Sequence, residues 1–208
     1  MSRQKGDIMR EVLISIQPRW VEKIVSGEKT VEVRKTKPKL ETPFKCYIYC
    51  TKGRSDCLWR WGGGVWYDTQ FPNERPNRLD GKIIGEFVCD RIDEFVNLPL
   101  SLFSPIGTLE QSCLTAEQIR EYLNGKNGYG WHITDLVVYD KPRELREFAK
   151  PAKTAYDDEG YLLCDGCEFA NWNTEKVCTK DFCPDRMITR APQSWQFCVA
   201  TEPRQTAA

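Results

Sequence analysis

The sequence predicts a mostly β protein with short helices, an α+β fold arranged as a small and mostly antiparallel β-barrel. Three observations predict it. Five or six runs of strand length and strand composition are spread along 208 residues. Only two stretches have helical spacing, and they lie far apart, which is not the alternation of a doubly wound sheet. No G-x-G-x-x-G follows a strand, and neither a Walker sequence nor a G-x-S-x-G elbow occurs. The dinucleotide-binding, P-loop and α/β-hydrolase classes are thereby excluded.

Val12 to Ile16 is apolar and largely β-branched, and reads as the first strand. Pro18 suits the first turn of a helix, whose stripe is Trp20, Val21, Ile24 and Val25 and which Gly27 ends. The stretch Gly27-Glu28-Lys29-Thr30-Val31-Glu32-Val33-Arg34 is a tight turn opening into a strand. Val31 and Val33 share one face; Thr30, Glu32 and Arg34 share the other. A carboxylate beside a guanidinium, with the Lys29 ammonium at the strand's mouth, is the furnishing of a ligand cleft rather than of a plain surface strand. A structural ion pair is the alternative.

Lys35 to Pro43, charged and Pro-rich, is a loop, and Phe44 to Thr51 is a strand. Cys46 and Cys50 sit four apart on that strand and read as small buried hydrophobes, with Lys52 and Arg54 extending a basic rim. Residues 53–81 carry Gly62-Gly63-Gly64, Pro72, Pro76 and Gly81 beside Trp59, Trp61, Trp66 and Tyr67. They read as a long loop or hairpin insertion, whose aromatics either stack on bases or pin the loop to the body. Lys82 to Ile92 reads as one strand. Thr115 and Gln118 fit a capping box, followed by a helix face of Ile119, Tyr122 and Leu123. Trp131 to Tyr139 reads as one strand with Trp131, Ile133, Val137 and Tyr139 in phase, Pro142 to Lys150 as a loop or helical turn, and Ser194 to Ala200 as the last strand.

Lys+Arg and Asp+Glu both number 30, yet residues 1–60 hold 14 basic and 7 acidic side chains. A basic first part suits a polyanionic partner, and the acidic remainder argues against general coating of nucleic acid. Hydrophobic residues make up 40% of the chain, enough for a packed core. No apolar run nears the ~20 residues of a membrane helix, and residues 1–10 lack the apolar region of a secretory signal. The expectation is a cytoplasmic protein without a membrane partner.

Of ten cysteines, Cys164, Cys167, Cys178 and Cys183 cluster. C-x-x-C lets two thiolates reach one tetrahedral ion, and four thiolates suit a closed, structural zinc site. The span from Ala149 to Arg190 shows no strong strand or helix pattern, so zinc would supply its order. Reduced buried thiols or a redox C-x-x-C are the other readings. His132, the only histidine, reads as a packed, hydrogen-bonded residue more than as an acid–base catalyst. Trp131 is a candidate pocket wall; that Arg190 and Ser194 also reach the cleft rests on fold analogy alone.

A strand, a helix opening on Pro18 and then G-x-K-x-x-E-x-R into a second strand resemble the ASCH domain family, a branch of the PUA-like barrels. Gly81-Lys82-Ile83-Ile84-Gly85-Glu86-Phe87, Gly130-Trp131-His132-Ile133 and Ala191-Pro192-Gln193-Ser194-Trp195 agree with it, and look like a bacterial and phage subgroup. The resemblance implies a PUA-like barrel over 10–148, a Cys-rich insertion or appendage over 149–190 and a final barrel strand over 191–201. It implies RNA or a modified nucleotide bound in a charged cleft, with Lys29, Glu32, Arg34, Trp131 and Ser194 as ligand-binding residues. One ASCH group hydrolyses the acetyl amide of N4-acetylcytidine with a Lys, a Thr three residues on and a distant Glu. Here Lys29 matches, Glu32 stands where the Thr would be, and Ser112 falls at the Glu position with Glu110 nearby. Two of the three positions differ, so that activity does not simply carry over; the alternative function is a small hydrolase of that or a ribonuclease type using Lys29 with a carboxylate, with Lys29 and Glu32 as catalytic residues. A third class is a pure interaction protein with a protein partner.

Overall fold

A computed structural model of the protein describes residues 11–95, 106–151, 155–156, 162–163 and 186–200. Strand β1 (Glu11–Ile16) is buried almost throughout. Val12, Ile14 and Ile16 enter the main core, while Leu13 packs into a second cluster on the opposite face. A strand covered on both faces needs an unbroken apolar run rather than alternation, which is why this segment is so hydrophobic. Helix α1 (Pro18–Val25) opens on its proline, where the missing N–H costs nothing, and buries Val21 and Ile24. It ends at Ser26, and Gly27 follows with φ +80°, the left-handed step that a glycine takes without a Cβ clash.

Strand β2 (Val31–Arg34) comes next, then β3 (Phe44–Cys50), which pairs parallel to β1. The insertion at 53–81 contains a hairpin: β4 (Cys57–Trp61) pairs antiparallel with β5 (Gly64–Asp68) across Gly62 and Gly63, both at positive φ. Its inward face puts Leu58, Val65 and Tyr67 on the main core. Trp61 and Trp66 remain largely exposed.

The single strand expected over Lys82 to Ile92 is two. Strand β6 (Ile83–Cys89) pairs with β3, and β7 (Ile92–Phe95) belongs to another sheet, so the chain turns between them at Asp90 and Arg91. Helix α2 (Ile106–Ser112) carries no signal that the sequence reading used. Helix α3 (Ala116–Leu123) has the expected capping box. The Gln118 N–H donates to Thr115 Oγ1 at 3.2 Å, and the Thr115 N–H donates to Gln118 Oε1 at 2.9 Å.

The strand expected from Trp131 to Tyr139 also divides, into β8 (Gly128–His132) and β9 (Thr134–Arg143), with Ile133 between them. The Ile133 N–H is taken by the carbonyl of Thr30, and the phase is not shared: Trp131 is fully buried while Val137 is 51% exposed. Short β10 (Phe148–Ala149), β11 (Ala155–Tyr156) and β12 (Leu162–Leu163) follow, the last two pairing inside a span whose sequence shows no strong strand pattern. Strand β13 (Trp195–Ala200) returns antiparallel to β1. Cys164, Cys167, Cys178 and Cys183, and with them the expected zinc site, lie outside the described residues.

The fold is mostly β with short helices. A six-stranded sheet runs β10-β13-β1-β3-β6-β9, and a three-stranded sheet runs β2-β8-β7. In the two, only β1 and β3 pair in parallel. The six-stranded sheet ends at β10 and β9, and it curls as a half-barrel. Among the described residues no helix is long and apolar enough to cross a membrane. Cys46 and Cys50 are buried in the main core, and burial raises both thiols well above their ordinary range.

Candidate functional site

Where β1 ends and α1 begins, the end of β2, helix α3 and the loop before β13 close around a hollow of about 710 Å3. That is within the ~300–1,000 Å3 typical of small-molecule sites. Lys29, Glu32 and Arg34 line it together. The local reasons are plain. Gly27 turns the chain after α1, and β2 starts at once, so Lys29 lies at the turn while Glu32 and Arg34 alternate onto one strand face.

These three side chains form one buried ionic chain. Lys29 Nζ lies 3.3 Å from Glu32 Oε2, and Arg34 Nη2 lies 2.9 Å from Glu32 Oε1. Lys29 is only 2% exposed and also donates to the carbonyls of Val31 (2.8 Å) and Ser112 (2.7 Å). All three N–H bonds of the ammonium thus find oxygen. Arg34 Nη2 donates to the Ser15 carbonyl at 2.6 Å, and Nη1 reaches Ser194 Oγ at 3.5 Å. The Arg34 Nε is buried with no partner among the described residues. In a site shielded from water, such pairs are held rigidly because each ion is costly to leave alone.

The rim is more exposed. Arg19 and Lys35 add two cations and Glu121 one carboxylate, so the lining holds four cations against two carboxylates. Trp20 and Tyr122 supply aromatic wall, and Gln118 and Gln193 supply amides. Burial pushes the Tyr122 phenol above its ordinary range, with the Arg34 guanidinium opposing that rise.

The other expected residues are placed differently. Trp131 does not line the hollow. It stands opposite Glu32 in the β2–β8 ladder, but its ring is fully buried in the core, edge-on to Phe44 at 5.7 Å and 5.9 Å from Trp195. Apolar packing consumes the ring, so the sequence expectation of a pocket wall is corrected. Ser194 touches Arg34 from behind, and its neighbour Gln193 lines the hollow instead. Arg190 is exposed and away from the lining. Ser112 meets Lys29 through its carbonyl, while its hydroxyl donates to the Leu109 carbonyl. Glu110 is exposed and outside the lining. His132 lies outside too, with Nε2 2.7 Å from Asp93 Oδ2. Among the described residues, no group of three or more His, Cys, Asp or Glu side chains is placed to hold a metal.

Sequence reasoning missed Arg19, Lys35 and Tyr122. The sequence puts Tyr122 on the packed face of α3, but the buried residues of that helix are Ile119 and Leu123; Gln118 and Tyr122, also four apart, turn to the hollow.

No family model matches the chain, and no curated protein matches it. Solved structures similar to it are ASCH domain proteins. ASCH from Zymomonas mobilis is 23% identical with a TM-score of 0.44, over 65% of this chain and 73% of that one. Two point mutants of that protein are each 22% identical with the same TM-score, over 65% and 66% of this chain and 76% and 75% of theirs.

Proposed function

We propose that the hollow binds RNA or a modified nucleotide. The supporting observation is its lining: a net-cationic, nucleotide-sized cavity with aromatic wall, whose floor of Lys29, Glu32 and Arg34 is fixed before any ligand arrives. Preorganised charge favours an anionic ligand without a large ordering cost. Tyr122 lines the hollow beside this floor and supplies part of its aromatic wall. Calorimetric titration with nucleosides, nucleoside monophosphates and a short single-stranded RNA tests the reading. Binding of at least one class is expected to weaken about tenfold or more in Tyr122→Ala, a loss typical of one base–aromatic contact. A wild-type protein that binds none of them would contradict it.

The hydrolase reading, of the N4-acetylcytidine amidohydrolase or ribonuclease type, uses Lys29 with Glu32. It is disfavoured because the Lys29 nitrogen faces three oxygens, and an amine attacking a substrate carbonyl would have to leave them. Turnover of acetylcytidine or an RNA oligomer by the wild type would reinstate it.

For the Cys-rich span we propose a structural zinc held by Cys164, Cys167, Cys178 and Cys183, on their spacing alone. Metal analysis is expected to find about one zinc per chain, and chelation to lower Tm. A metal-free preparation with an unchanged Tm would remove it.

A further inference from the structure

We propose that the hollow receives an internal nucleotide of a single RNA strand, with Arg19 and Lys35 holding the flanking phosphates and Lys37 the next one. This rests on the nucleotide reading above and narrows it to a polynucleotide.

Two populations of cation occur here. Lys29 and Arg34, on the floor, spend their donors on protein oxygens, save Arg34 Nε, which has no partner among the described residues. Arg19, on α1, and Lys35 and Lys37, just past β2, are exposed. None of these three makes a salt bridge or hydrogen bond among the described residues. Instead each lies over an aromatic ring: Arg19 at 4.5 Å from the Trp20 centroid, Lys35 at 5.0 Å from Tyr122, and Lys37 at 5.0 Å from Tyr129. A cation resting on a ring face is already positioned, so little side-chain freedom is lost when a phosphate arrives, and its N–H donors remain unspent.

The chemistry that fits such prepositioned cations at the mouth of a nucleotide-sized hollow is a phosphodiester on either side of one nucleotide. A free nucleoside would leave all three without a partner. A duplex keeps its bases stacked and paired, whereas a single strand can place one base in the cavity and run its backbone over the rim. Lys37 lies outside the lining, two residues after Lys35, so a strand leaving the hollow past Lys35 would meet it next.

The test is fluorescence anisotropy with a labelled 12-nucleotide single-stranded RNA of mixed sequence, across a salt series, with free nucleosides as competitors. Arg19 and Lys35 are exposed, so the Arg19→Gln/Lys35→Gln double variant is expected to keep the wild-type Tm. It is expected to bind the RNA about tenfold or more weakly at 0.1 M salt. The slope of log affinity against log salt should flatten by roughly 1.4, since each phosphate contact on a single strand contributes ~0.7. Lys37→Gln should flatten it by roughly 0.7 more, and free nucleosides should compete only weakly for the wild type. A double variant with wild-type affinity and slope, or a nucleoside that binds as tightly as the RNA, would overturn the proposal and leave the nucleotide reading standing. A wild type that binds neither RNA nor nucleoside would end both.

Discussion

Glu32 is the residue on which the floor of the hollow depends, because one carboxylate faces two cations that are almost sealed from water. The Lys29 side chain is 1% exposed and that of Arg34 7%. Removing one partner of a buried ionic group leaves the others uncompensated, at a cost of about 3–5 kcal/mol. Glu32→Ala should therefore lose that much in urea unfolding, and a loss below about 1 kcal/mol would show that the pairs are not buried as described. Lys29→Ala belongs to the same class, since it strips acceptors on β2 and α2 of their donor. A loss of function in that variant would report the fold before it reported chemistry. Lys29, Glu32 and Arg34 were legible as a set because a turn and a period of two fix where they point. Arg19, Lys35 and Tyr122 were not, because nothing local says which side of a short helix or a loop will border a cavity. Trp131 misled for a related reason: a large aromatic beside charged residues reads as a wall, and only its packing against Phe44 shows that it is core.

Among the elements, β6 is an interior strand of the half-barrel. It joins β3 on one side and β9 on the other. At Gly85 a Cβ would run into the backbone carbonyl of Val137 on β9, an atom that cannot swing away. Gly85→Ala is thus expected to destabilise by about 1–3 kcal/mol, read from chemical denaturation. A neutral variant would show that β9 can shift. One residue on, Glu86 joins three strands, accepting from Lys45 on β3 and from Tyr139 on β9. Burial raises its carboxyl, but Tyr139 and Lys45 outweigh that and hold it below its ordinary 4.5. A depressed folded-state value means that this stabilisation is whole above about pH 4.5 and disappears as pH falls through the folded value. The wild-type Tm should fall more steeply than that of Glu86→Gln as the solution is acidified below pH 4.5; parallel curves would contradict it. Strand positions were readable from composition, and the Gly62-Gly63 turn marked the hairpin. The breaks at Asp90 and at Ile133 were not readable, because both flanking runs are strand-forming and only the choice of sheet separates them.

At the scale of the whole molecule, a curled sheet, two helices and a returning C-terminal strand meet at one end and leave a cavity there. The basic first part of the chain supplies Arg19, Lys29, Arg34 and Lys35 to that cavity, so the charge asymmetry seen in the sequence becomes a local field. The molecule also offers a rival surface, the exposed Trp61 and Trp66 of the β4–β5 hairpin. Photo-crosslinking of a single-stranded RNA carrying 4-thiouridine, followed by mass spectrometry of the linked peptides, separates the two most directly. The hollow predicts cross-links on the peptides containing Trp20 or Tyr122; cross-links confined to Trp61 or Trp66, or none at all, would contradict it.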